Sequence, residues 1–427
     1  MRRRVVITGM GSVNPLGHDV ESMWQALLAG KSGASLMELF DAHAYPTKFA
    51  AQVKGYRLEN HIHNAAHHVN AARHCTFALG AATEAWKQSG LETCTRLDRD
   101  RMGIYLGCGE GSLDFDNFAA LLVDHWTGSE INMPTWAPAG MKRFNMYREI
   151  EQESHMVAAH LANQFGARGP SINVLTACAA STQALGEATW LVRRGEADVV
   201  ISGGAHSMIH PLGVTGFNRL TALSQRNDDI AAASRPFDRT RDGFVLGEGS
   251  SILILEDYDF AKARGAKVLA EIIGFGSSAD AYRVTDQDPA GDGAGVAMRC
   301  ALADAGLQPQ DIHYISAHGT GTQQNDAVET RAMKQVFGEW APKVPVSSVK
   351  SALGHLIAAA GATELITCIL AIRDQILPPT VHLNNPDPEC DLDYIPNVPR
   401  RAKVDVCMSN SMGFGGQNDT LIIRRPE

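Results

Sequence analysis

The stretch Ser171-Ile-Asn-Val-Leu-Thr-Ala-Cys-Ala-Ala-Ser-Thr-Gln-Ala-Leu-Gly-Glu-Ala-Thr-Trp-Leu-Val-Arg-Arg194 runs from a short strand directly into a helix. Its apolar residues between positions 172 and 175 predict a short buried strand. Apolar side chains at three- and four-residue spacing between positions 184 and 192 predict the helix that follows. Cys178 therefore falls at the junction, at or just before the first helical turn.

This position suits Cys178 to act as a nucleophile. Unpaired backbone N–H groups and the positive end of the helix dipole face a side chain at a helix start. We expect this setting to lower the pKa of the thiol and to provide donors for an oxyanion. Its neighbours Ala177, Ala179 and Ala180 are small enough to let a substrate approach. Because a buried cysteine is more often only a small apolar residue, the rest of the chain has to decide between the two interpretations.

The composition is that of a globular enzyme. The 427 residues allow two domains or one large duplicated fold, and 44% of them are hydrophobic and 20% charged. A net charge of −9 argues against a general nucleic-acid-binding surface and against binding to an anionic membrane. The eight cysteines contain no Cys-x-x-Cys pair, which fits neither a zinc motif nor a disulfide framework. A reducing cytoplasm is the expected location.

Neither a secretory nor a membrane-spanning segment is expected. The apolar run after the N-terminal arginines ends at Thr8-Gly9, too early for the apolar region of a signal peptide. The longest apolar stretch, residues 356–372, is interrupted by Thr363, Glu364 and Thr367. These polar residues indicate a buried helix rather than a membrane span.

Two local patterns invite a binding-site interpretation that the residues do not support. Gly9 and Gly11 follow a predicted strand as in a dinucleotide-binding turn, but Asn14 occupies the place of the third glycine. His63 and His67, among five histidines in residues 61–74, are four residues apart and could share a metal on a helix. Because residues 61–74 contain no carboxylate or cysteine, we expect a solvated helix face there.

The remaining chain alternates strands and helices in two similar halves. An irregular region at 124–151, rich in Trp, Pro and Met, is expected to cap a site or a partner surface. Near Asp257 the strand–helix alternation begins again without a Pro- or Ser-rich linker. We therefore predict two βαβ-type halves, residues 1–256 and 257–427, packed as one body.

Two glycine-framed histidines in the second half each follow a predicted strand. His318-Gly-Thr-Gly-Thr322 comes directly after the strand at 312–317, and Val349-Lys-Ser-Ala-Leu-Gly-His355 follows the strand at 345–348. Open α/β sheets place their ligands at the carboxyl ends of strands. A single histidine at such a place is often structural. The evidence for a functional site is stronger when two such histidines occur together with Cys178 and a closing Gly-Phe-Gly-Gly loop at 413–416.

This set resembles the β-ketoacyl-acyl carrier protein synthases of the thiolase superfamily, most closely the elongating type I/II enzymes. His355 stands where the initiating synthases have Asn, so the pattern is Cys-His-His. The resemblance covers nearly the whole chain and includes these segments: Val5–Gly11, Gly169–Ser171, Thr176–Cys178, Arg235–Asp238, Asp242–Phe244, Gly247–Gly249, His318–Thr322, Lys350-Ser351, Gly354-His355, Gly361–Glu364 and Asn410–Gly416.

The resemblance implies an α/β thiolase fold layered α-β-α-β-α, with the nucleophile in the first half and both histidines in the second. It implies a homodimer that takes acyl and malonyl groups from an acyl carrier protein. The phosphopantetheine arm belongs to that partner, so no cofactor or metal of the chain's own is expected. Neither nucleic acid nor membrane is an expected partner.

The resemblance also implies the reaction, a decarboxylative Claisen condensation. Cys178 takes an acyl group from a carrier-protein thioester, and a malonyl thioester then loses CO2 to give an enolate. Neutral His318 and His355 would each donate an N–H to the enolate oxygen. The backbone N–H groups of Cys178 and Phe414 would hold the later oxyanion, and the Phe414 ring would act as a gate.

The resemblance assigns supporting roles to four more side chains. Lys350 and Glu364 would form a pair that sets the local electrostatics. Thr320 and Thr322 would hold the amides of the phosphopantetheine arm.

Glu110 departs from the family pattern, since its position is usually apolar and lines the acyl pocket. A carboxylate in an apolar tunnel costs several kcal/mol unless it is paired or protonated. Glu110 either turns towards a basic group at a dimer interface or makes the acyl tunnel shorter or more polar.

Three other functions have to be compared with this one. One is a specialised condensing enzyme of a secondary lipid or polyketide pathway. A non-catalytic chain-length-setting subunit would lack the nucleophile, whereas Cys178, His318 and His355 are all present. A biosynthetic thiolase would need a second cysteine near the C-terminus, and residues 413–416 contain none.

Overall fold

A computed structural model describes residues 2–110, 114–284 and 286–427. The strands in these ranges are β1 (Val5–Val13), β2 (Ala34–Leu36), β3 (Phe49–Ala51), β4 (Met102–Cys108), β5 (Ser171–Val174), β6 (Val199–His206), β7 (Gly249–Asp257), β8 (Ala270–Ala279), β9 (Tyr314–Ser316), β10 (Val346–Ser347), β11 (Ile376–Leu377), β12 (Arg400–Arg401), β13 (Val406–Gly413) and β14 (Gln417–Arg424). The α-helices are α1 (Val20–Leu28), α2 (Arg73–Ser89), α3 (Phe115–Asp124), α4 (Met133–Arg143), α5 (Met146–Glu149), α6 (Met156–Phe165), α7 (Ala180–Arg193), α8 (Pro211–Arg219), α9 (Tyr258–Ala263), α10 (Asp292–Ala305), α11 (Gln323–Phe337), α12 (Lys350–Leu353) and α13 (Ala360–Asp374).

Ten of these strands form one mixed sheet in the order β10-β9-β13-β14-β8-β1-β7-β6-β4-β5. The five strands from β5 to β1 come from the first half of the chain and the other five from the second half. Each set has parallel pairs at its outer end and antiparallel pairs towards the middle. The two sets meet along a short antiparallel seam, where Val5–Ile7 of β1 pairs with Ala270–Ile272 of β8.

Helices α7 and α13 form a layer between the two sets of strands. Helix α7 packs on β4 and β6 and also contacts β8 and β14, whereas α13 packs on β13 and contacts β6 and β7. Every residue of α13 from Ala360 to Ile372 is buried. The buried helix expected at 356–372 is thus confirmed, with a short 3₁₀ turn at Ile357–Ala359 before it.

Helix α2 covers the outer face of β1 and β7, and α10 covers the outer face of β8 and β14. The predicted α/β class and its α-β-α-β-α layering are therefore confirmed. Strand β1 is longer than predicted, since it continues through Gly9 and Gly11 to Val13. A Cβ at Gly11 would lie 1.9 Å from the carbonyl oxygen of Ala81 in α2. These glycines therefore allow the helix and the strand to pack closely, which is a structural role and not a nucleotide-binding one.

Strand β5 differs from its prediction because it lies at the edge of the sheet. It pairs only with β4 in the described structure. Ile172 is 39% exposed and Leu175, just after the strand, is 51% exposed. The strand that precedes Cys178 is therefore not buried within one chain, although its apolar residues predict burial.

The solvated helix face predicted for residues 61–74 is wrong in two respects. The segment contains only a short 3₁₀ turn, Ala65–His68, before α2 begins at Arg73. His63 and His67 are exposed, whereas His68 and His74 are buried. Burial lowers the pKa of His74 to about 3, so this ring is packed as a neutral side chain.

The region 124–151 is more regular than predicted, because it contains α4 and α5. Pro134 lies in the first turn of α4, where a missing N–H costs nothing. Its exposed apolar side chains include Trp126, Met133, Met141 and Met146. The residues from Phe115 to Gln152 thus form a small helical excursion with an apolar surface.

In the three described ranges, none of the helices combines the length and the apolar character needed to cross a bilayer.

Candidate active site

Cys178 lies in a tight 3₁₀ turn, Ala177–Ala179, between β5 and α7. The backbone of Ala177 has a positive φ of 48°. The end of β13 packs against this turn: a Cβ on Gly413 would lie 2.8 Å from the carbonyl oxygen of Thr176 and 3.2 Å from the amide nitrogen of Cys178. Only glycine at position 413 allows this approach, which brings the following residue, Phe414, to the thiol.

The Cys178 thiol is buried, with 6% of the residue exposed. Burial raises its pKa to about 12, while Lys350 and the backbone N–H groups of Phe414 and Cys178 act in the opposite direction. The lowered thiol pKa expected from the helix start is therefore wrong for the resting protein, because loss of hydration outweighs the nearby donors. The two N–H groups nevertheless lie beside the sulfur, next to the place where the carbonyl oxygen of an acyl group on Cys178 would be.

His318 follows strand β9 and is held by its own backbone. Its N–H donates to Glu329 Oε1 at 2.8 Å, and the N–H of Gly319 donates to the other oxygen at 2.8 Å. Nζ of Lys350 lies 3.3 Å from Nδ1 of His318. Because Nζ is a donor, it directs the proton of a neutral His318 ring to Nε2.

His355 is fixed in the same tautomer by a different donor. The backbone N–H of Ile357 donates to its Nδ1 at 3.2 Å, so its proton lies on Nε2. This Nε2 is buried and has no hydrogen-bond partner among the described residues. Burial lowers the pKa of both His318 and His355 well below the ordinary value, and Lys350 adds to the effect. Both rings are therefore neutral donors.

The structure brings the three predicted residues together. The rings of His318 and His355 are 5.4 Å apart at nearly a right angle. The Cys178 sulfur and one nitrogen from each ring all lie within 4.8 Å of one another. The arrangement places two neutral N–H donors beside one nucleophile, which suits the stabilisation of an oxyanion or enolate next to a reacting sulfur.

Lys350 and Glu364 form a buried ion pair behind the histidines. Lys350 Nζ also donates to the carbonyl oxygen of His318 at 2.6 Å. Burial raises the pKa of the Glu364 carboxyl to about 7, against the effect of Lys350. The hydrogen bonds of Lys350 hold His318 in place, and its charge also favours the thiolate of Cys178.

A cavity of about 500 Å³ opens in front of these groups. Thr320 and Thr322 line it, with their hydroxyl oxygens 3.0 Å apart. The Phe414 side chain, 39% exposed, also lines it. Gly415, the next residue, donates its N–H to the carbonyl of Val284 at 2.9 Å, which ties this turn to a neighbouring loop.

Glu110 lies outside the lining of this cavity. Its side chain is 66% exposed, and Oε2 lies 3.7 Å from Nε2 of the buried His206. His206 lowers the pKa of the Glu110 carboxyl. The predicted role of Glu110 in substrate binding stays a prediction, and its nearest partner is a histidine of the same chain.

Sequence reasoning missed Glu329, although it holds the loop that carries His318. Burial raises the pKa of its carboxyl to about 7, and its two backbone contacts lower it. The sequence could have indicated Glu329, because this residue lies on α11, the helix that directly follows the His318–Thr322 motif.

The sequence matches one protein family over most of its length. Residues 2–261 match the N-terminal domain of the β-ketoacyl synthases, and residues 269–384 match the C-terminal domain. The chain belongs to the β-ketoacyl synthase family. This β-ketoacyl synthase is therefore an acyltransferase of the condensing type.

Individual relatives agree over the full length. The synthase is 43% identical to a 3-oxoacyl-[acyl-carrier-protein] synthase 2 of Coxiella burnetii, with 99% of each chain covered. It is 40% identical to the corresponding protein of Vibrio cholerae, again with 99% of each chain covered.

Solved structures show the same fold. A type II polyketide ketosynthase in complex with its acyl carrier protein matches with a TM-score of 0.88 and 34% identity, covering both chains completely. A β-ketoacyl synthase from Burkholderia phymatum matches with a TM-score of 0.87 and 33% identity, also over both whole chains.

Proposed function

We propose that this synthase elongates fatty acyl chains by decarboxylative Claisen condensation, with the growing acyl group on Cys178 and the malonyl unit on an acyl carrier protein. The observation that carries the proposal is the meeting of Cys178, His318 and His355 within 4.8 Å, with each histidine fixed as an Nε2–H donor. Relatives at about 40% identity over the whole chain carry the name of this reaction.

In the first step the Cys178 sulfur attacks the acyl thioester carbonyl. A carbon–sulfur bond forms to Cys178, the bond to the carrier's thiol breaks, and the thiol proton of Cys178 ends on the departing thiol. Because burial holds the resting thiol protonated, loss of this proton accompanies the attack. The N–H groups of Cys178 and Phe414 stabilise the oxyanion that forms.

In the second step the malonyl thioester loses CO2. The electron pair of the broken carbon–carbon bond moves into an enolate, whose oxygen accepts from Nε2 of His318 and of His355. Since both rings are neutral, they supply donors without carrying a positive charge that would bind the malonyl carboxylate too tightly.

In the third step the enolate carbon attacks the acyl carbonyl on Cys178. The tetrahedral oxyanion uses the same two backbone N–H groups, and its collapse expels the thiolate of Cys178. One proton from solvent restores the thiol, so the balance is an acyl-enzyme, a malonyl thioester and a proton going to a 3-oxoacyl thioester, CO2 and the free enzyme.

The carrier's phosphopantetheine arm enters through the cavity in this proposal. Thr320 and Thr322 offer adjacent hydroxyls for its amides along the way to Cys178. The arm comes with the partner, so the chain needs neither a cofactor nor a metal for the condensation. A solved ketosynthase neighbour is itself in complex with an acyl carrier protein.

The nucleophile-bearing half, residues 1–256, and the histidine-bearing half, residues 257–427, are both needed in this scheme. We also propose that two copies form a homodimer through β5. An unpaired edge strand with exposed Ile172 and Leu175 is a ready pairing surface for another strand. All eight cysteines, which lie in the described ranges, are free thiols, and this supports a cytoplasmic location.

Mass spectrometry after incubation with an acyl-loaded carrier protein tests the nucleophile. We expect one acyl adduct, on the peptide that contains Cys178, and a 3-oxoacyl product once malonyl-carrier protein is added. The other seven cysteines serve as internal controls. An adduct on Cys108 or Cys407 with Cys178 free would overturn the assignment.

A further inference from the structure

A second cluster of potential ligands lies away from the active site, where α2, α6 and the end of the helical excursion meet. Cys75 is in the first turn of α2, Glu151 in the 3₁₀ turn Ile150–Gln152, and His160 in α6. The sulfur, a carboxylate oxygen and a ring nitrogen all lie within 4.8 Å of one another. Cys75 is fully buried, Glu151 is 5% exposed, and the His160 side chain is 14% exposed.

The hydrogen bonds around His160 prepare one nitrogen for a ligand. Its Nδ1 lies 2.8 Å from Nδ1 of His68, and Nε2 of His68 lies 3.0 Å from Oε1 of Gln164. Since that amide oxygen accepts, neutral His68 carries its proton on Nε2 and accepts at Nδ1. His160 then carries its proton on Nδ1, which leaves the lone pair of Nε2 facing Oε1 of Glu151 at 2.9 Å.

Two acceptors that face each other at hydrogen-bond distance need a cation between or beside them. The other oxygen of Glu151 accepts from the N–H of Ala72 at 3.1 Å, which fixes the carboxylate in place. Within the described ranges, the basic side chain next to this nearly buried carboxylate is His160. A proton on His160 could fill the position, and so could a metal ion that the buried sulfur of Cys75 would also reach.

We propose that Cys75, Glu151 and His160 bind a divalent transition-metal ion of the Zn²⁺ type, with water as a fourth ligand. Sulfur, nitrogen and oxygen together suit a borderline-soft ion, and three protein ligands plus water is a common tetrahedral arrangement. A thiolate and a carboxylate together neutralise a divalent charge in this buried place. Binding would replace the thiol proton of Cys75, which passes to solvent.

The structure also offers an entry path and a second layer of support. A surface pocket of about 440 Å³ lies next to the cluster and is lined by His67, His68, Met156, Ala159, His160 and Asn163. The His68–Gln164 relay orients His160 as the partners of metal-bound histidines do. A bound ion would join the start of α2 to α6 and to the end of the excursion at Glu151. The site does not depend on the proposed function, because none of its residues contacts the reacting groups.

Cobalt provides the test, because a thiolate bound to Co²⁺ gives a charge-transfer absorption in the near ultraviolet. The full-length protein is stripped with a chelator and titrated with Co²⁺, and bound Zn²⁺ is counted by mass spectrometry in a parallel sample. We expect stoichiometric binding with the thiolate band. Cys75→Ser should lose the band, whereas Cys390→Ser, a buried cysteine in the other half, should keep it.

Two further variants keep the result unambiguous. Cys178→Ala should keep the band, because the Cys178–His318–His355 group is the other set of possible ligands in the described structure. Glu151→Gln, which keeps the side-chain shape, should weaken Co²⁺ binding at least about tenfold. Zn²⁺ should raise the Tm of the wild type and of Cys178→Ala but not of Cys75→Ser. A band that survives Cys75→Ser, a band lost in Cys178→Ala, or a wild type that binds no Co²⁺ would overturn the proposal.

Discussion

Nζ of Lys350 donates to the carbonyl oxygen of His318 at 2.6 Å and lies 3.3 Å from Nδ1 of the same residue. One ammonium group thus fixes both the backbone and the tautomer of His318. Its counter-ion, Glu364, is 1% exposed, so the pair is set apart from solvent. The orientation of His318 therefore depends on a buried ion pair.

Removal of this support should slow the step that His318 serves. We expect Lys350→Met to lower malonyl decarboxylation by about 10- to 100-fold, less than the loss expected when an oxyanion donor itself is removed. Acyl transfer to Cys178 should fall less, because its oxyanion donors are backbone groups. The double variant Lys350→Met/Glu364→Gln controls for an unpaired buried carboxylate. Equal losses in both half-reactions of the double variant would contradict the orienting role.

The two half-reactions should separate when the reacting residues are replaced. His318→Ala or His355→Ala should reduce malonyl decarboxylation by about 100-fold or more, as expected for loss of an oxyanion donor, and leave some acyl transfer. Cys178→Ala should abolish acyl transfer and keep some uncoupled decarboxylation. Radiolabelled CO2 release and acyl-adduct mass spectrometry measure the two steps. Wild-type decarboxylation in both histidine variants would rule out this division of roles.

The raised pKa of Cys178 predicts how its alkylation depends on pH. A group whose pKa is about 12 is almost entirely protonated at pH 7, and its thiolate fraction rises tenfold per pH unit below that value. The rate of iodoacetamide modification of the Cys178 peptide should therefore still be climbing steeply between pH 7 and pH 10. The exposed Cys300 provides a reference for reagent reactivity. A plateau near pH 7 would show that the thiolate already forms in the resting enzyme.

Glu110 predicts a substrate preference that the family resemblance alone does not. If its carboxylate lies at the acyl tunnel, Glu110→Ile should shift the preference towards long saturated acyl groups and leave decarboxylation unchanged, because His318 and His355 are untouched. Glu110→Gln serves as a control for charge without a change in shape. A panel of acyl-carrier thioesters measures the profile. An unchanged profile in a folded Glu110→Ile variant would favour a role at the subunit interface instead.

The edge strand β5 predicts the oligomeric state. The wild-type protein should have twice the 46.0 kDa chain mass in light scattering, and Ile172→Lys should shift it towards the monomer. Val296→Lys is a matched control, because Val296 is also 39% exposed but lies on α10. A monomeric wild type, or equal dissociation in both variants, would contradict a dimer built on β5.

Much of the active site could be predicted because its residues stand at the ends of elements with clear patterns. Cys178 joins a strand to a helix, and His318 and His355 follow strands, so local sequence gives their chemistry and their place. The pKa of Cys178 could not be predicted in this way. It depends on how much water the packing of Gly413, Phe414 and the histidines excludes, and these come from distant parts of the chain.

The fold shows the same division between local and distant effects. Apolar periodicity located the long helices and strands, but the exposure of β5 depends on where the sheet ends. The solvated helix face predicted for residues 61–74 was wrong because the burial of His68 and His74 comes from α6 and the sheet, not from their neighbours in sequence. Glu151 lies far along the chain from Cys75, so no local motif could join them.

The contact between Gly413 and the turn that carries Cys178 also has a consequence for the time at which the site forms during synthesis of the chain. The ribosome delivers Cys178 with the first half, long before Gly413 and Phe414 emerge. Until then the thiol lacks the neighbouring backbone N–H of Phe414 and both histidines. We therefore expect the nascent first half to capture acyl groups poorly, and the enzyme to become reactive only when its last strands have been added to the sheet.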